Sequence, residues 1–506
     1  MKVDRLIQGC QVFNVYRKRF ESADVAIIDD KFAYVGAPLA EIVASEVING
    51  KGKWMIPGLV DIHLHVESTM LTPSEFSAGI LVQGTTTAVT DPHEIANVFG
   101  VKGVQAMLDL EDGPADLFYG IPSSVPSTNF ETTGGIIDQP EVRALLDHPK
   151  ILCLGEVMNF HDLVAEGETR IKRLIATMSE RSPRPIIEGH CPRLSGLDLQ
   201  KFLFAGVDAD HTQQTVESLR EKIGLGMFVE IQDKSLSPEL LKAVVDEKMS
   251  EHCCLVTDDT MVDILVSEGH LNRVFRRAVG MGLPVEEAIY LTTYTPARRM
   301  GLTDRGSIAP GRLADFVILD DVSTFAIHQI YKNGRLANTE ALPLSKKIFP
   351  EEFYSSVHLT SRTISDFDIA ATGDFAKCRL MRVNQESTFT EEVHVDVPVK
   401  DGKLAWENQG FGMIAVFDRY TGKKSAFGFV DGDCLKKGAI ATTYAHDHHN
   451  LMVIGYSTSD MLKAANRVIE IQGGMTAVLN DEFISEIALP VAGILSDKPL
   501  ASVAKE

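Results

Sequence analysis

Eight apolar, β-rich runs recur between residues 55 and 259, and each is followed by a segment able to hold a helix or a short crossover. The runs cover residues 56–65, 85–91, 117–125, 151–157, 185–190, 207–211, 227–231 and 253–259. Near-continuous apolar strands that alternate with helices are typical of a parallel sheet covered on both faces. Eight such units in about 250 residues predict a TIM-like (β/α)8 barrel over residues 57–304. An open doubly wound sheet is the structural alternative.

The segments on either side of the predicted barrel have a different texture. Residues 1–56 and 305–340 show short strand and turn patterns, which predict one composite β-domain, a β-sandwich split by the barrel. Residues 345–506 contain β runs at 392–398, 413–417 and 424–428 and a helix at about 459–472. This pattern indicates a separate C-terminal α+β domain. We therefore expect an α/β protein of three domains.

The balance of charges narrows the range of partners. The 506 residues include 49 Lys and Arg against 70 Asp and Glu, a formal net charge of −21. Such a surface repels phosphate backbones and anionic lipids, so neither a nucleic acid nor a membrane is the expected partner. The N-terminus lacks an apolar signal region, no run of 18 apolar residues occurs, and the seven Cys are an odd number. These features predict a cytoplasmic protein with reduced thiols.

Five of the eight runs end in residue types that bind metals. These strand-end residues are His63, His65, Glu156, His190, His211 and Asp258. Alternate residues of a strand point the same way, so His63 and His65 can bind one ion. Catalytic groups of a barrel enzyme lie at the C-terminal ends of its strands. The six residues therefore predict one metal centre built from several strands.

The composition of this set suggests its chemistry. Imidazoles and carboxylates without Cys suit Zn, Fe, Mn or Co. Six ligands are too many for one tetrahedral catalytic ion with an open position, but they suit two ions that share a bridging carboxylate. Two ions can lower the pKa of a water between them and polarise an electrophile. We therefore expect hydrolysis at an sp2 carbon, in which Asp258 binds metal and also moves the proton from water to leaving group.

The strand-end motifs resemble those of a known superfamily. Residues 56–65, Gly189-His190, Asp210-His211 and Thr257-Asp258 are similar to the metal-binding motifs of the amidohydrolase superfamily. Within it, the chain resembles the adenine deaminase family over nearly its whole length. The longer motifs that carry this resemblance are residues 66–73, 90–98, 189–192, 445–450 and 489–493.

The resemblance implies a binuclear metalloenzyme that converts adenine and water to hypoxanthine and ammonia. It assigns His63, His65 and Asp258 to one ion and His190 and His211 to the other. Glu156 takes the place at the end of the fourth strand where many relatives have a carboxylated lysine, and it would bridge the two ions. Asp258 and Glu156 are the implied catalytic residues. The expected cofactors are two Mn2+ ions, with Fe2+ or Zn2+ as alternatives. The expected partners are a small purine-like substrate and further copies of the chain, in a dimer or larger homo-oligomer.

Two positions depart from the family pattern. Thr212 stands where members usually carry Glu, and Gln232-Asp233-Lys234 stands where they tend to have Arg-Glu-Gly. We therefore expect that some residues that face the substrate differ from those of other family members. The candidates are Glu67, Asp91, His93, Glu94, Thr212, Gln232, His446 and His448. Residues 91–94 could instead cap a helix, and residues 446–449 could form a solvated loop.

Two further functions stay open from the sequence. The first is the same chemistry on another cyclic substrate, such as an N6-substituted adenine, a pterin or a cyclic amide. The second is an inactive relative that binds purines or acts as a scaffold. Metal content separates the second from an enzyme.

Overall fold

The computed structural model describes residues 1–110, 113–337, 348–384 and 390–506. The chain forms two compact units. Unit 1 comprises Met1–His93, Val104–Ser127 and Ile137–Lys347, and unit 2 comprises Glu94–Gly103, Thr128–Ile136 and Ile348–Glu506. Unit 2 therefore includes two short segments that precede the C-terminal region by more than 200 residues. In the described ranges, no helix combines the length and the apolar character that a membrane crossing needs.

The strands are numbered in chain order. They are β1 (Lys2–Asn14), β2 (Arg19–Ile28), β3 (Lys31–Gly36), β4 (Val43–Asn49), β5 (Trp54–Pro57), β6 (Leu59–Leu64), β7 (Thr85–Thr90), β8 (Asp116–Ile121), β9 (Ile151–Val157), β10 (Ile186–Gly189), β11 (Ala209–Asp210), β12 (Phe228–Ile231), β13 (Cys253–Leu255), β14 (Phe316–Asp321), β15 (Ala326–Lys332), β16 (Arg335–Leu336), β17 (Phe375–Val383), β18 (Glu391–Lys400), β19 (Lys403–Leu404), β20 (Gly412–Phe417), β21 (Ser425–Gly432), β22 (Ala439–Thr442), β23 (Leu451–Gly455), β24 (Gly474–Leu479) and β25 (Glu482–Ala488).

The α-helices follow the same order. They are α1 (Pro73–Leu81), α2 (His93–Phe99), α3 (Val101–Leu110), α4 (Gln139–Leu145), α5 (Phe160–Val164), α6 (Arg170–Ser179), α7 (Gly196–Phe204), α8 (Val216–Gly224), α9 (Pro238–Asp246), α10 (Val262–Ser267), α11 (Leu271–Gly280), α12 (Val285–Thr292), α13 (Tyr294–Arg299), α14 (Thr458–Glu470) and α15 (Leu500–Val503). Short 3-10 helices cover Val66–Thr69, Asp233–Ser235, Glu351–Tyr354 and Ile364–Phe367.

One sheet of unit 1 joins the beginning of the chain to a much later segment. Its order is β16-β15-β14-β5-β1-β2-β3, and β4 pairs with β1. The junction is the antiparallel pairing of β5 with β14, in which Ile56 lies opposite Val317. Ile7, Val25 and Phe316 are fully buried in the apolar core of this sheet. The two segments predicted to form a β-domain thus share one sheet.

The eight apolar runs of the sequence all contain strands, and these strands are parallel. Five form the sheet β10-β9-β8-β7-β6 and three form the sheet β11-β12-β13. The Asp208 N–H donates to the Ile187 carbonyl between β10 and β11 at 2.8 Å. At the other side, Leu64 of β6 forms a parallel bridge with Asp258, which follows β13. Every residue of β6 and β7 is buried, which explains their continuous apolar and Thr-rich sequence. The prediction of a mixed α/β fold with parallel strands is confirmed.

Unit 2 is built around a nine-stranded sheet. The order of its strands is β19-β18-β17-β21-β20-β23-β22-β24-β25. Helix α14 begins after Ser457, whose hydroxyl accepts the Asp460 N–H. Met461, Ala464, Ala465 and Val468 are buried on one face of this helix, in the i, i+3, i+4, i+7 spacing of an amphipathic helix. The predicted helix at about 459–472 is therefore present, two residues shorter at its end.

Candidate metal centre

His65, directly after β6, has a ring orientation determined by the backbone. Its Nδ1–H donates to the Asp91 carbonyl at 2.9 Å, so in the neutral ring Nε2 is the nitrogen with the lone pair. Burial and the nearby His93 lower the pKa of His65, but Asp258 and Glu156 outweigh them and raise it well above its usual value. Nε2 lies 3.5 Å from Glu156 Oε1 and 3.6 Å from Asp258 Oδ1. A backbone acceptor on the far nitrogen is the usual arrangement of a metal-binding His. His65 is thus prepared to bind a cation.

His63, at the end of β6, has a similar two-sided environment. Its Nδ1 lies 3.5 Å from Glu230 Oε2, and its Nε2 has no hydrogen-bond partner among the described residues. The ring stacks on that of His211, with centroids 3.6 Å apart. Burial and the neighbouring His211 hold the pKa of His63 well below its usual value. A neutral imidazole with an unused buried nitrogen is a suitable metal ligand.

Glu156 of β9 lies between two groups of imidazoles. Its Oε1 is 3.5 Å from His65 Nε2 and 3.6 Å from His93 Nδ1. Its Oε2 is 2.9 Å from His190 Nδ1 and 3.2 Å from His211 Nε2. Burial opposes ionisation, but the charges and hydrogen bonds of His211 and His190 outweigh it and hold the pKa of Glu156 well below its usual value. Each carboxylate oxygen therefore faces a different part of the cluster.

His190 and His211 follow two neighbouring strands, β10 and β11. His190 Nδ1 lies 3.1 Å from His211 Nε2, and both nitrogens face Glu156 Oε2. The His211 side chain is almost fully buried, whereas that of His190 is 35% exposed. Burial lowers the pKa of His211, but the facing Glu156 carboxylate raises it more, to about 9.

Asp258 has an unusual backbone conformation. Its φ is 59°, in the left-handed region, which costs an L-residue roughly 1–2 kcal/mol. The Asp258 N–H donates to the His63 carbonyl at 3.0 Å, which attaches this residue to the end of β6. Although burial opposes ionisation, the hydrogen bond to His65 and the charge of His211 hold the pKa of Asp258 below its usual value. The carboxylate is therefore ionised and directed at the imidazoles.

The donor set fits divalent cations. The ligand atoms of His63, His65 and Glu156 lie within 4.8 Å of one another, as do those of Glu156, His190 and His211. Glu156 belongs to both of these groups, and His63 and His211 also form a group with Glu230. The division of these residues between two ions stays a prediction. The buried His63 Nε2 without a partner is the kind of atom that an ion would satisfy.

Comparison with known proteins identifies the family of this chain. The model of the adenine deaminase C-terminal domain matches residues 387–506, and amidohydrolase family models match residues 54–225 and 247–337. The adenine deaminase of Clostridium perfringens (strain ATCC 13124) is 45% identical over 520 residues, which cover 100% of this chain and 91% of that protein. Adenine deaminase 2 of Shouchella clausii (strain KSM-K16) is 44% identical, with coverage of 100% and 90%. This chain belongs to the adenine deaminase family.

A solved structure supports the fold independently. A β-aspartyl dipeptidase from Fervidobacterium islandicum AW-1 has a TM-score of 0.51 and 17% identity, and the match covers 68% of this chain and 98% of that one. At this identity the similarity concerns the fold alone.

Asp91 and His93, which belong to a motif that the chain shares with the family, lie beside the six strand-end residues. Asp91 Oδ2 accepts the Glu156 N–H at 2.9 Å and so ties the end of β7 to β9. A Cβ at position 155 would overlap the Asp91 carboxylate, so only Gly155 permits this approach. The His93 ring lies against that of His65, with centroids 4.5 Å apart. Their substrate-binding roles stay predictions.

The two positions that depart from the family pattern bind atoms of the protein. The Thr212 hydroxyl donates to Asp210, 2.8 Å from Oδ2. Gln232 Nε2 donates to the His211 carbonyl at 2.9 Å.

Glu67 is buried on the 3-10 helix Val66–Thr69, which follows β6. The roles of Glu67, Thr212 and Gln232 toward the substrate also stay predictions.

Glu94 lies in unit 2 and meets the predicted cluster of residues 446–449. Its Oε1 pairs with His446 Nδ1 and its Oε2 with His449 Nε2. The Ala445 N–H donates to His449 Nδ1 at 3.2 Å, so the proton of this ring is on Nε2. His448 Nδ1 accepts the Asn450 N–H at 3.0 Å. The structure thus brings Glu94 and His446 together, while His448 binds its own loop.

Glu230 and Asp61 did not emerge as candidates from the sequence, and His449 emerged only as one member of the segment 446–449. Glu230 faces His63, and His449 binds Glu94. Asp61 accepts the Thr257 hydroxyl at 2.7 Å, and burial raises its pKa to about 7. An acidic residue inside an apolar run, as Asp61 and Glu230 are, is the signal that could have identified two of them, because a buried carboxyl needs a partner.

Proposed function

We propose that this protein hydrolyses adenine to hypoxanthine and ammonia at a centre of two divalent metal ions. The observation that carries the proposal is the position of Glu156, whose two oxygens face separate groups of imidazoles at 2.9–3.6 Å. Membership in the adenine deaminase family supports the substrate. Adenine gains an oxygen from water at C6, and its exocyclic nitrogen leaves as ammonia.

The ligands divide between the two ions. His63, His65 and Asp258 would hold one, and His190 and His211 would hold the other. Glu156 would be the ligand that both ions share. When bound, the two ions lower the pKa of a water and so supply the hydrolytic nucleophile near neutral pH. Mn2+ is the first choice, with Fe2+ or Zn2+ as alternatives, because imidazole and carboxylate donors without Cys suit all three.

Asp258 transfers the proton. Its ionised carboxylate accepts a proton from the attacking water and delivers it to the departing nitrogen. The position next to His65 and the conformation held by the His63 carbonyl keep this carboxylate aimed at the reacting atoms. Groups of this kind contribute a factor of about 10²–10⁴ to the rate.

The architecture that supports this site is also part of the proposal. The eight parallel strands close into a (β/α)8 barrel, with a composite β-domain from residues 1–56 and 305–340 and a C-terminal domain from 345. The boundaries at 340 and 345 lie outside the described residues. The Asp208 to Ile187 hydrogen bond and the Leu64–Asp258 bridge support closure on both sides. We also propose a cytoplasmic homo-oligomer, a dimer or larger. Light scattering on the purified protein tests the assembly.

The decisive experiment combines metal analysis with a substrate screen. Protein reconstituted with Mn2+ is expected to hold about two ions per chain and to release ammonia from adenine faster than from N6-methyladenine, guanine, pterins or cyclic amides. Faster release of ammonia from another of these compounds would make that compound the substrate and leave the proposed hydrolytic chemistry unchanged. Protein that binds no ions and shows no turnover after incubation with excess Mn2+ would support the inactive purine-binding alternative. The Thr212→Glu variant in the same screen tests whether this departure from the family pattern alters the preference for N6-methyladenine.

A further inference from the structure

Asp210 and Lys222 form a fully buried ion pair directly behind the metal centre. The side chains of both residues are 0% exposed, and Lys222 Nζ lies 2.8 Å from Asp210 Oδ2. Asp210 is the last residue of β11 and immediately precedes His211, whereas Lys222 belongs to α8. Burial opposes the charge of Asp210, but Lys222 outweighs it and holds the pKa of the carboxyl below its usual value.

The other hydrogen bonds of Asp210 connect two strand ends. Asp210 Oδ1 accepts the Cys191 N–H at 2.7 Å, and Cys191 immediately follows His190. The Thr212 hydroxyl donates to both carboxylate oxygens, at 3.0 and 2.8 Å. The Gln214 amide donates to Oδ2 at 2.5 Å. One carboxylate therefore holds the backbone beside His190 and the chain on both sides of His211.

Lys222 completes this network. Its ammonium also lies 3.2 Å from Gln214 Oε1, which in turn accepts the Ser218 hydroxyl at 2.7 Å. A buried ion pair is a weak source of stability, because the cost of desolvating two charges offsets their attraction, and apolar replacements are often neutral or stabilising. Stability alone therefore does not account for this pair. The hydrogen bonds from Asp210 to the two strand ends give the pair a role in holding those ends in place.

We propose that Asp210, held in place by Lys222, is a positioning residue that fixes His190 and His211 relative to each other. The pair preorganises the two-histidine half of the metal centre without touching substrate or metal. This inference rests on the proposed function, because it assumes that these imidazoles bind an ion. It also gives Thr212 a second role, as a donor that orients the Asp210 carboxylate.

The test is titration of the metal-free protein with Mn2+ by calorimetry. The wild type is expected to bind two equivalents. In Lys222→Met, the affinity for one Mn2+ ion should fall by about 10- to 100-fold, the usual effect of removing an outer partner of a metal ligand. The affinity for the other ion should change by less than about threefold. Lys332→Met is the matched control, because Lys332 is also buried and pairs with Asp315 at 2.9 Å in the β-sheet region. This control should keep both equivalents.

Two double variants separate positioning from folding. Asp210→Asn with Lys222→Met keeps an acceptor for the Cys191 N–H, whereas Asp210→Ala with Lys222→Met removes it, and both are neutral at these positions. At the site with the lowered affinity, the Asn variant should bind Mn2+ at least about tenfold more tightly than the Ala variant. These variants carry the test if Lys222→Met alone does not fold, which circular dichroism reveals.

The outcomes are distinct. Two equivalents of wild-type affinity in folded Lys222→Met, or equal affinities in the two double variants, would overturn the positioning role. A wild-type protein that binds fewer than two Mn2+ ions would instead overturn the binuclear centre of the proposed function, and the inference with it.

Discussion

Two clusters of this protein each place a buried glutamate between imidazoles. They differ in which nitrogen of the facing imidazole carries the hydrogen. In unit 1, Glu156 faces His65, whose far nitrogen donates to the Asp91 carbonyl. In unit 2, Glu94 faces His449, whose far nitrogen accepts the Ala445 N–H. In the neutral rings, the backbone therefore leaves the lone pair of His65 toward Glu156 and the proton of His449 toward Glu94.

This difference determines what each cluster can bind. A lone pair beside a carboxylate leaves room for a cation, and an N–H beside a carboxylate makes a hydrogen bond that satisfies both groups. The same residue types thus form the proposed metal centre in unit 1 and a hydrogen-bonded contact in unit 2. Residue identity alone does not distinguish the two, whereas the backbone atom behind the ring does.

The largest expected effect distinguishes the reacting carboxylate from its neighbours. Asp258→Asn should lower kcat by about 10²–10⁴, because it removes the group that moves the proton. Steady-state rates of ammonia release on protein of known metal content measure this. Asp263→Asn is the control, since Asp263 is exposed on α10, five residues further along the chain. Asp258→Asn with more than a tenth of wild-type activity would contradict the assignment.

The two glutamates should respond differently to the same substitution. Glu156→Gln should lower the metal content from about two ions toward one, because two adjacent dications lose the charge between them, and the rate should fall with it. Glu94→Gln should keep both ions and lower thermal stability, because an amide has one acceptor oxygen for the two imidazoles that the carboxylate pairs with. Metal analysis and thermal unfolding on the same preparations compare the clusters. Two full ions in Glu156→Gln without turnover would make Glu156 an acid–base group instead of a bridge.

A similar contrast is expected for the histidines. His65→Gln should lose one ion, whereas His449→Gln should retain both and unfold several degrees earlier. The stability cost comes from leaving a buried carboxylate short of a partner, roughly 1–3 kcal/mol. Calorimetric unfolding with metal analysis tests it. Loss of an ion in His449→Gln would mean that the unit 2 cluster also contributes to metal binding.

The smallest effect tests burial without a hydrogen-bonded carboxylate. His270 is buried, with Nε2 3.3 Å from the Thr257 hydroxyl, and burial lowers its pKa to about 3. The folded pKa lies below the unfolded value of about 6.5, so this contribution to stability is present above pH 6.5 and is lost as the pH falls toward 3. The loss is about 1.4 kcal/mol per pH unit.

Urea unfolding of metal-free protein at pH 7.5 and 5.5 measures this contribution. The decrease in the free energy of unfolding should be about 1.4 kcal/mol smaller in His270→Gln than in the wild type. His328→Gln is the control, because its side chain is 42% exposed. Equal decreases in wild type and His270→Gln would show that folding does not change the pKa of His270.

Much of the fold could be predicted because its signals are local. The eight apolar runs all contain strands, and β9 has the predicted bounds, Ile151–Val157. The short strands β11 and β13 are only two and three residues long, against predicted runs of five and seven. Their ends lie where backbone pairing stops, which depends on neighbouring strands and not on the run itself.

The sequence by itself determined the parallel α/β pattern, the six strand-end residues and the resemblance to the family, because periodicity and short motifs are properties of neighbouring residues. Only the tertiary structure revealed that Glu94 belongs with His446 and His449, more than 350 positions away, and that Lys222 lies behind His211. The physical reason is that a buried charge is defined by its partners. Those partners come from distant segments. The hydrogen that His65 or His449 carries depends on which backbone atom the fold places against the ring, and a motif does not show that contact.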